Sequence, residues 1–205
     1  MPLKPGAGLG GSRVIVLPLS MIRNGDTFGW AAQITNPREY LVNLNAQIEK
    51  GLTERAPRTV WVFPTALVQV ASRNPGYLAD PYGMDPSQFA PDRWKPGAKL
   101  EDPLAGELRN YTSFVDARVA LVLVEMRFVP RPVTPGHVLP EGERAMVQAD
   151  SAHHMGRPVM RIAIVDTRTT DVMWAADVVG DPAPAFTPAV GTNLVDHLVR
   201  ALSTE

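Results

Sequence analysis

The feature that most constrains the fold is an apolar run in the second half of the chain. Every side chain from Val119 to Val124 is apolar, and apolar and polar residues alternate after it through Glu125 and Phe128. A strand that is buried on both faces and emerges to solvent at one end has this pattern. We therefore predict a central strand within residues 117–129.

The first part of the chain predicts a strand, a helix and a second strand. Residues 13–19 are apolar and β-branched, which indicates a buried strand that ends at Pro18. The helix that follows is capped by Asn36. Its apolar stripe comprises Leu41, Leu44, Ile48 and Leu52. Residues 59–63 predict the second strand, and this order favours parallel neighbours.

The last part of the chain predicts a hairpin and a helix. The hairpin strands are Val159 to Val165 and Val172 to Val179, joined by a polar turn at 166–171. A final helix begins near Pro188. Together these elements predict an α/β sandwich in a single domain. It has a mixed sheet of about five strands, two or three helices and long Pro-rich loops.

Proline and glycine divide the chain into core and insertions. Most of the 20 prolines and 16 glycines lie in a few segments. Because proline cannot continue a helix or a central strand, we predict insertions at about 74–112 and 130–142. Residues 1–12 are expected to be a flexible leader or an artificial extension. Residues 13–205 then form one domain.

Composition excludes several classes of function. The formal net charge is −1, so no overall basic field attracts nucleic acid. The absence of cysteine excludes disulfides, thiolate nucleophiles and cysteine-ligated metals. No apolar run approaches the ~20 residues of a transmembrane helix, and residues 1–12 lack the apolar core expected of a signal peptide. We expect no nucleic-acid partner and no cofactor.

Asp150, His153 and His154 are the closest approach to a metal or catalytic set. Adjacent histidines on a strand point to opposite faces, and no third ligand stands at zinc-binding spacing. A surface loop is therefore favoured over a metal-dependent hydrolase that uses this region. Ser20 lacks the G-x-S-x-G context of a nucleophile. We predict that the chain is not an enzyme.

A group of aromatic residues lies in the first Pro-rich insertion. Its members are Tyr77, Tyr82, Phe89 and Trp94. Such rings suit a contact surface for a protein partner. They are equally suited to pinning the long loop onto its own domain, and the sequence leaves both interpretations open. A small-ligand pocket under this loop is a further alternative.

Several segments form a pattern that is typical of a known group of domains. They are V-I-V-L-P-L from Val14, the capped helix, T-V-W-V-F-P from Thr59, the apolar strand from Ala120, and R-I-A-I-V-D-T-R-T-T-D-V-M-W ending at Trp174. In these segments the chain resembles bacterial envelope domains related to the TolB amino-terminal domain, LpoB and CsgG. In that group a strand ending in V-D-x-R-T-G turns tightly into a strand reading V-x-W.

The resemblance implies a non-catalytic module of the bacterial cell envelope. Such a module is periplasmic or associated with the outer membrane, often on a lipoprotein, and a lipid anchor upstream of the chain is compatible with it. It works by docking to envelope proteins as an adaptor or accessory subunit. The partner surface that we expect is the aromatic group of the first insertion.

The hairpin turn departs from the group and leaves the strand register open. Thr170 stands where the group usually has glycine, so we expect a turn of different type or length. If Asp166 pairs with Asp171, Trp174 faces Ala163. A slip of one residue moves Trp174 to the face of Ile164.

Overall fold

The computed structural model describes residues 9–24, 26–84, 86, 94–130 and 155–203. The strands in this part are β1 (Arg13–Leu17), β2 (Val60–Val62), β3 (Val119–Pro130), β4 (Gly156–Asp166) and β5 (Val172–Val179). The α-helices are α1 (Pro37–Arg55), α2 (Pro64–Arg73), α3 (Leu104–Val115) and α4 (Pro188–Leu202). A 3-10 turn, Pro81–Gly83, lies between α2 and α3.

The strands form one mixed sheet in the order β2-β1-β3-β4-β5. β2 and β3 run parallel to β1, whereas β4 is antiparallel to both β3 and β5. The predicted α/β fold with a mixed sheet of five strands is confirmed. The described part holds four α-helices rather than two or three, because residues 104–115 form a full helix inside the predicted insertion.

The sheet is buried on both faces, as the apolar run in β3 predicts. Leu121 and Leu123 belong to a cluster with the apolar side chains of α1 and α4. Ala120 and Val122 belong to a second cluster with those of α2 and α3. Successive residues of a strand point to opposite faces, so the two clusters lie on opposite sides of the sheet. The domain therefore has three layers.

The structure describes only part of two predicted segments, the leader and the second insertion. Leu9 is buried in the α1/α4 core, its carbonyl oxygen lies 3.2 Å from the Thr59 hydroxyl, and the Gly11 amide donates to the carbonyl of Arg58. The predicted leader therefore packs on the domain from residue 9 onward. The insertion at 130–142 lies outside the described residues except for Pro130, which ends β3.

The hairpin turn retains the positive φ that glycine would supply. Thr170 has φ of 63°, so threonine adopts here the conformation that the sequence argument reserved for glycine. The Asp166 side chain accepts hydrogen bonds from the amides of Arg168 and Thr169, and the Asp166 carbonyl accepts one from the Thr170 amide. These bonds hold the turn against the local preference of a β-branched residue.

The register of the hairpin combines the two alternatives. The Asp166 amide donates to the carbonyl of Asp171 at 3.0 Å, and Val165 pairs with Val172. The ladder then shifts by one residue, so that Trp174 pairs with Ile164. This β-bulge places Trp174 against the α1/α4 core.

The strained turn gives a direct test of the hairpin geometry. We expect Thr170→Gly to be more stable than Thr170→Ala by about 1 kcal/mol, since only alanine keeps a Cβ in the left-handed conformation. Denaturant unfolding measures the difference. Thr169 has no positive φ, so in the matched pair Thr169→Ala should be at least as stable as Thr169→Gly. Equal or greater stability of Thr170→Ala would contradict this geometry.

Candidate functional site

The structure places the predicted site residues in three different settings. Tyr77 and Tyr82 are exposed, by 74% and 43%, whereas Trp94 is only 3% exposed. Phe89 lies outside the described residues. Also outside them are Asp150, His153 and His154, so the predicted alternative of a metal site there is not described.

Trp94 lies in the core between the sheet and α3. It shares the α2/α3 cluster with Leu78 and Met84, which come from the same insertion. This position agrees with the interpretation in which the ring pins the loop onto its own domain. Partner binding by the insertion remains a prediction, and among the described residues it rests on Tyr77 and Tyr82.

The segment that carries Tyr77 and Tyr82 is anchored to α3. The Tyr111 hydroxyl donates to the carbonyl of Ala79, and the Asn110 side-chain amide donates to the carbonyl of Tyr77. Asp80 caps the 3-10 turn, because its Oδ1 accepts from the Tyr82 amide at 3.0 Å. These bonds fix the backbone from which Tyr82 projects.

A groove of about 520 Å³ lies beside Tyr82. Its lining consists of Leu19, Ser20, Arg38, Leu41, Val42, Asn45 and Tyr82. We call this set the α1 groove. It lies where the chain leaves β1 for α1, which covers one face of the sheet. The neighbouring strand β2 continues into α2, which covers the other face. Crevices for ligands in open α/β sheets form at such carboxyl ends, where successive connections leave in opposite directions.

Asn45 closes the floor of the α1 groove. Its Oδ1 accepts from the Leu19 amide at 2.8 Å, and its Nδ2 donates to the Leu19 carbonyl at 2.9 Å. Because Pro18 interrupts β1, these two bonds replace the strand pairing that Leu19 would otherwise have. The side chain thereby joins the end of β1 to α1.

The lining of the groove combines apolar side chains with one positive charge. Val42 is 51% exposed and lines the groove together with the exposed Tyr82. Arg38 is exposed, and its guanidinium makes no ion pair with a described residue. The Ser20 hydroxyl has no hydrogen-bond partner among the described residues. Burial raises the pKa of Tyr82, as do the charges of Glu49 and Asp80.

Sequence reasoning missed this groove, although one signal was available. Asn45 stands at a helical spacing of four from Leu41 and three from Ile48, within the predicted apolar stripe. A polar residue at an inward position of a helix requires a hydrogen-bond partner. Val42, an apolar residue on the exposed side, is the other departure from the helical pattern.

A chain of ion pairs connects β3, β4 and β5 in the second half of β3. Glu125 is buried and bonds to Arg23 and Arg127, and Arg127 also pairs with Asp177. Arg161 donates two further hydrogen bonds to the Asp177 carboxylate. Burial acts to raise the pKa of Asp177, but its bonds to Arg161 and the charge of Arg127 outweigh burial and lower it. The buried carboxylate of Glu125 is thus paired with two arginines within the fold.

The described residues show neither a metal cluster nor a membrane-spanning helix. They contain no group of three or more histidine, aspartate or glutamate side chains that could hold a metal ion. None of their helices has the length and apolarity needed to cross a bilayer.

Comparisons with known proteins give weak similarities only. No protein-family profile and no curated protein matches the chain. The LpoB C-terminal domain from Salmonella enterica aligns with 11% identity and a TM-score of 0.40, over 86% of this chain and 93% of that one. A lipoprotein from Neisseria meningitidis aligns with 10% identity and a TM-score of 0.42, over 92% and 96%.

A third structure is similar at the same level. The PelC dodecamer from Paraburkholderia phytofirmans aligns with 10% identity and a TM-score of 0.37, over 95% of this chain and 90% of that one. These values are too low to carry a conclusion about what this chain does. LpoB is one of the proteins that the sequence resembles, and the resemblance to TolB and CsgG stays a prediction.

The hydrogen bonds of the Asn45 side chain predict that its loss lowers the stability of the domain. Asn45→Ala leaves the amide and carbonyl of buried Leu19 without partners, so we expect the free energy of unfolding to fall by about 2 kcal/mol or more. Denaturant unfolding measures it. Asn43→Ala, at an exposed position of the same helix, should cost almost nothing. Similar stability of the two variants would show that the Asn45 bonds are not needed.

Proposed function

We propose that the chain is a non-catalytic interaction domain of the bacterial cell envelope that docks a protein partner through the α1 groove. The observation that carries this proposal is that two exposed side chains with large apolar surfaces, Val42 and Tyr82, line the same groove. Large exposed apolar residues that rim a concavity are typical of docking sites.

The groove is built on elements that are already fixed. Val42 belongs to a helix of 19 residues, and the backbone of Tyr82 is held by the Asp80 cap. Association therefore does not have to order these elements, which lowers its entropic cost. This pre-organisation supports binding more strongly than a mobile loop would.

The lining also indicates the chemistry of the partner. Leu19 and Leu41 supply apolar lining, and Arg38 lines the groove without an ion pair to a described residue. The occupant that fits is a peptide segment of an envelope protein with an apolar side chain and an acidic residue beside it. The Ser20 hydroxyl can then bond to a polar group of the segment.

The assignment to the envelope rests on the sequence resemblance. The resembled group includes LpoB, and the hairpin segment from Arg161 to Trp174 carries most of the shared pattern. Fractionation of cells of the native host tests the compartment separately from the groove. Recovery of the protein in the cytoplasm alone would contradict the envelope assignment.

Point variants of the groove test partner docking. The double variant Val42→Ser with Tyr82→Ser should reduce capture of a specific envelope protein by about tenfold or more, because it removes two apolar anchors from the interface. Quantitative mass spectrometry of pull-downs measures this loss. Deleting the whole insertion is unsuitable, since Leu78 and Met84 belong to the core.

The matched control removes equally exposed apolar residues elsewhere. Val60 on β2 and Phe114 on α3 are 52% and 45% exposed and lie outside the groove lining. The double variant Val60→Ser with Phe114→Ser should capture the partner normally. If both double variants lose the same proteins, or neither does, the groove is not the docking site.

A further inference from the structure

Another hollow, of about 380 Å³, lies between α3 and the β4–β5 turn, and each residue that lines it carries a polar or charged group. The lining consists of Arg109, Thr112, Ser113, Arg118, Thr167 and Arg168. We call it the arginine hollow. It shares no residue with the α1 groove, so it is independent of the proposed docking function.

The three guanidinium groups are weakly neutralised within the fold. Arg109 lies 3.4 Å from the Asp102 carboxylate, but both side chains are more than half exposed, which makes this pair weak. Among the described residues, Arg118 and Arg168 make no ion pair within 4.0 Å. The hollow therefore carries donors and positive charge that the described fold does not consume.

The nearest carboxylate is already engaged. Asp166 Oδ1 accepts from the amides of Arg168 and Thr169, at 2.9 and 3.0 Å. The hydrogen bond from Thr169 is the largest cause of the lowered pKa of Asp166, and the charge of Arg118 contributes to it. This carboxylate holds the turn in place, and so it also holds the backbone that presents Arg168.

The floor of the hollow is fixed by two threonine hydroxyls. Thr112 Oγ1 lies 2.6 Å from Thr167 Oγ1 and 2.9 Å from the carbonyl oxygen of Leu108. Thr167 Oγ1 also lies 3.1 Å from the carbonyl oxygen of Ala117. Three contacts share two hydroxyl protons, so both protons are used inside the fold. The guanidinium groups are left as the principal donors toward a ligand.

The geometry points to a binding site for a phosphate group. Three guanidinium groups that line one hollow suit an anion with several oxygens. Each planar guanidinium can donate to a separate oxygen or pair of oxygens. A planar carboxylate offers only two oxygens to the three forks. The hollow is open at the surface, so the phosphate is the end of a larger molecule, either a soluble phosphate ester or a phospholipid headgroup.

Titration with inorganic phosphate tests the site on the intact chain. We expect saturable chemical-shift changes at the amides of α3 and of the β4–β5 turn. The double variant Arg118→Gln with Arg168→Gln should weaken binding by about tenfold or more. Replacing both by lysine keeps the charge but loses the fork, so it should bind with intermediate affinity.

The control carries the same change in net charge. Arg58→Gln with Arg73→Gln removes two exposed arginines outside the hollow and should leave phosphate binding unchanged. Equal weakening in this control would show a general charge effect and overturn the site. Absence of saturable binding to the unaltered chain would also overturn it. Circular dichroism verifies that each variant is folded.

Lipid vesicles distinguish the two sources of the phosphate. Sedimentation uses vesicles of pure phosphatidylcholine and vesicles that also contain phosphatidylglycerol. If the chain binds the phosphatidylglycerol vesicles and the Arg118→Gln, Arg168→Gln variant does not, the site is assigned to an anionic headgroup. Phosphate binding without vesicle binding assigns it to a soluble ester. If vesicles bind equally well to this variant and inorganic phosphate does not bind, the proposal is wrong.

Discussion

Burial of β3 on both faces is the constraint on which the rest of the structure depends. A strand whose side chains are apolar on both sides is stable only when each face of the sheet has a covering layer. Leu121 and Leu123 require the layer of α1 and α4, and Ala120 and Val122 require that of α2 and α3. The chain supplies these layers by leaving β1 on one face and β2 on the other.

Both candidate sites arise where these layers end. The α1 groove opens at the end of β1, where Pro18 stops the ladder and Asn45 takes over the bonds of Leu19. The arginine hollow opens at the end of α3, beside the turn that Asp166 holds. In each case a polar side chain stabilises an irregular backbone, and exposed residues next to it remain available for binding.

The sequence predicted the elements whose pattern is local. The cap of α1 is confirmed by the bond from the Glu39 amide to Asn36, and β3 follows from its apolar run. Asn45 within the apolar stripe was a signal for the groove, but the position of Tyr82 could not be predicted, because it lies after a long Pro-rich segment. The Trp174 register depended on a one-residue bulge, which alternation alone does not reveal. At Thr170, the hydrogen bonds of Asp166 hold a positive φ that a β-branched residue disfavours, and the prediction had used only that preference.

Site-specific photo-crosslinking in cells of the native host tests the central claim that the α1 groove is a docking surface. A benzophenone side chain is placed at Val42 in one variant and at Val60, which is equally exposed on β2, in another. The account predicts one discrete crosslinked protein from position 42, which disappears when Arg38→Glu reverses the charge at the mouth of the groove. No product from position 42, or the same product from position 60, would contradict it.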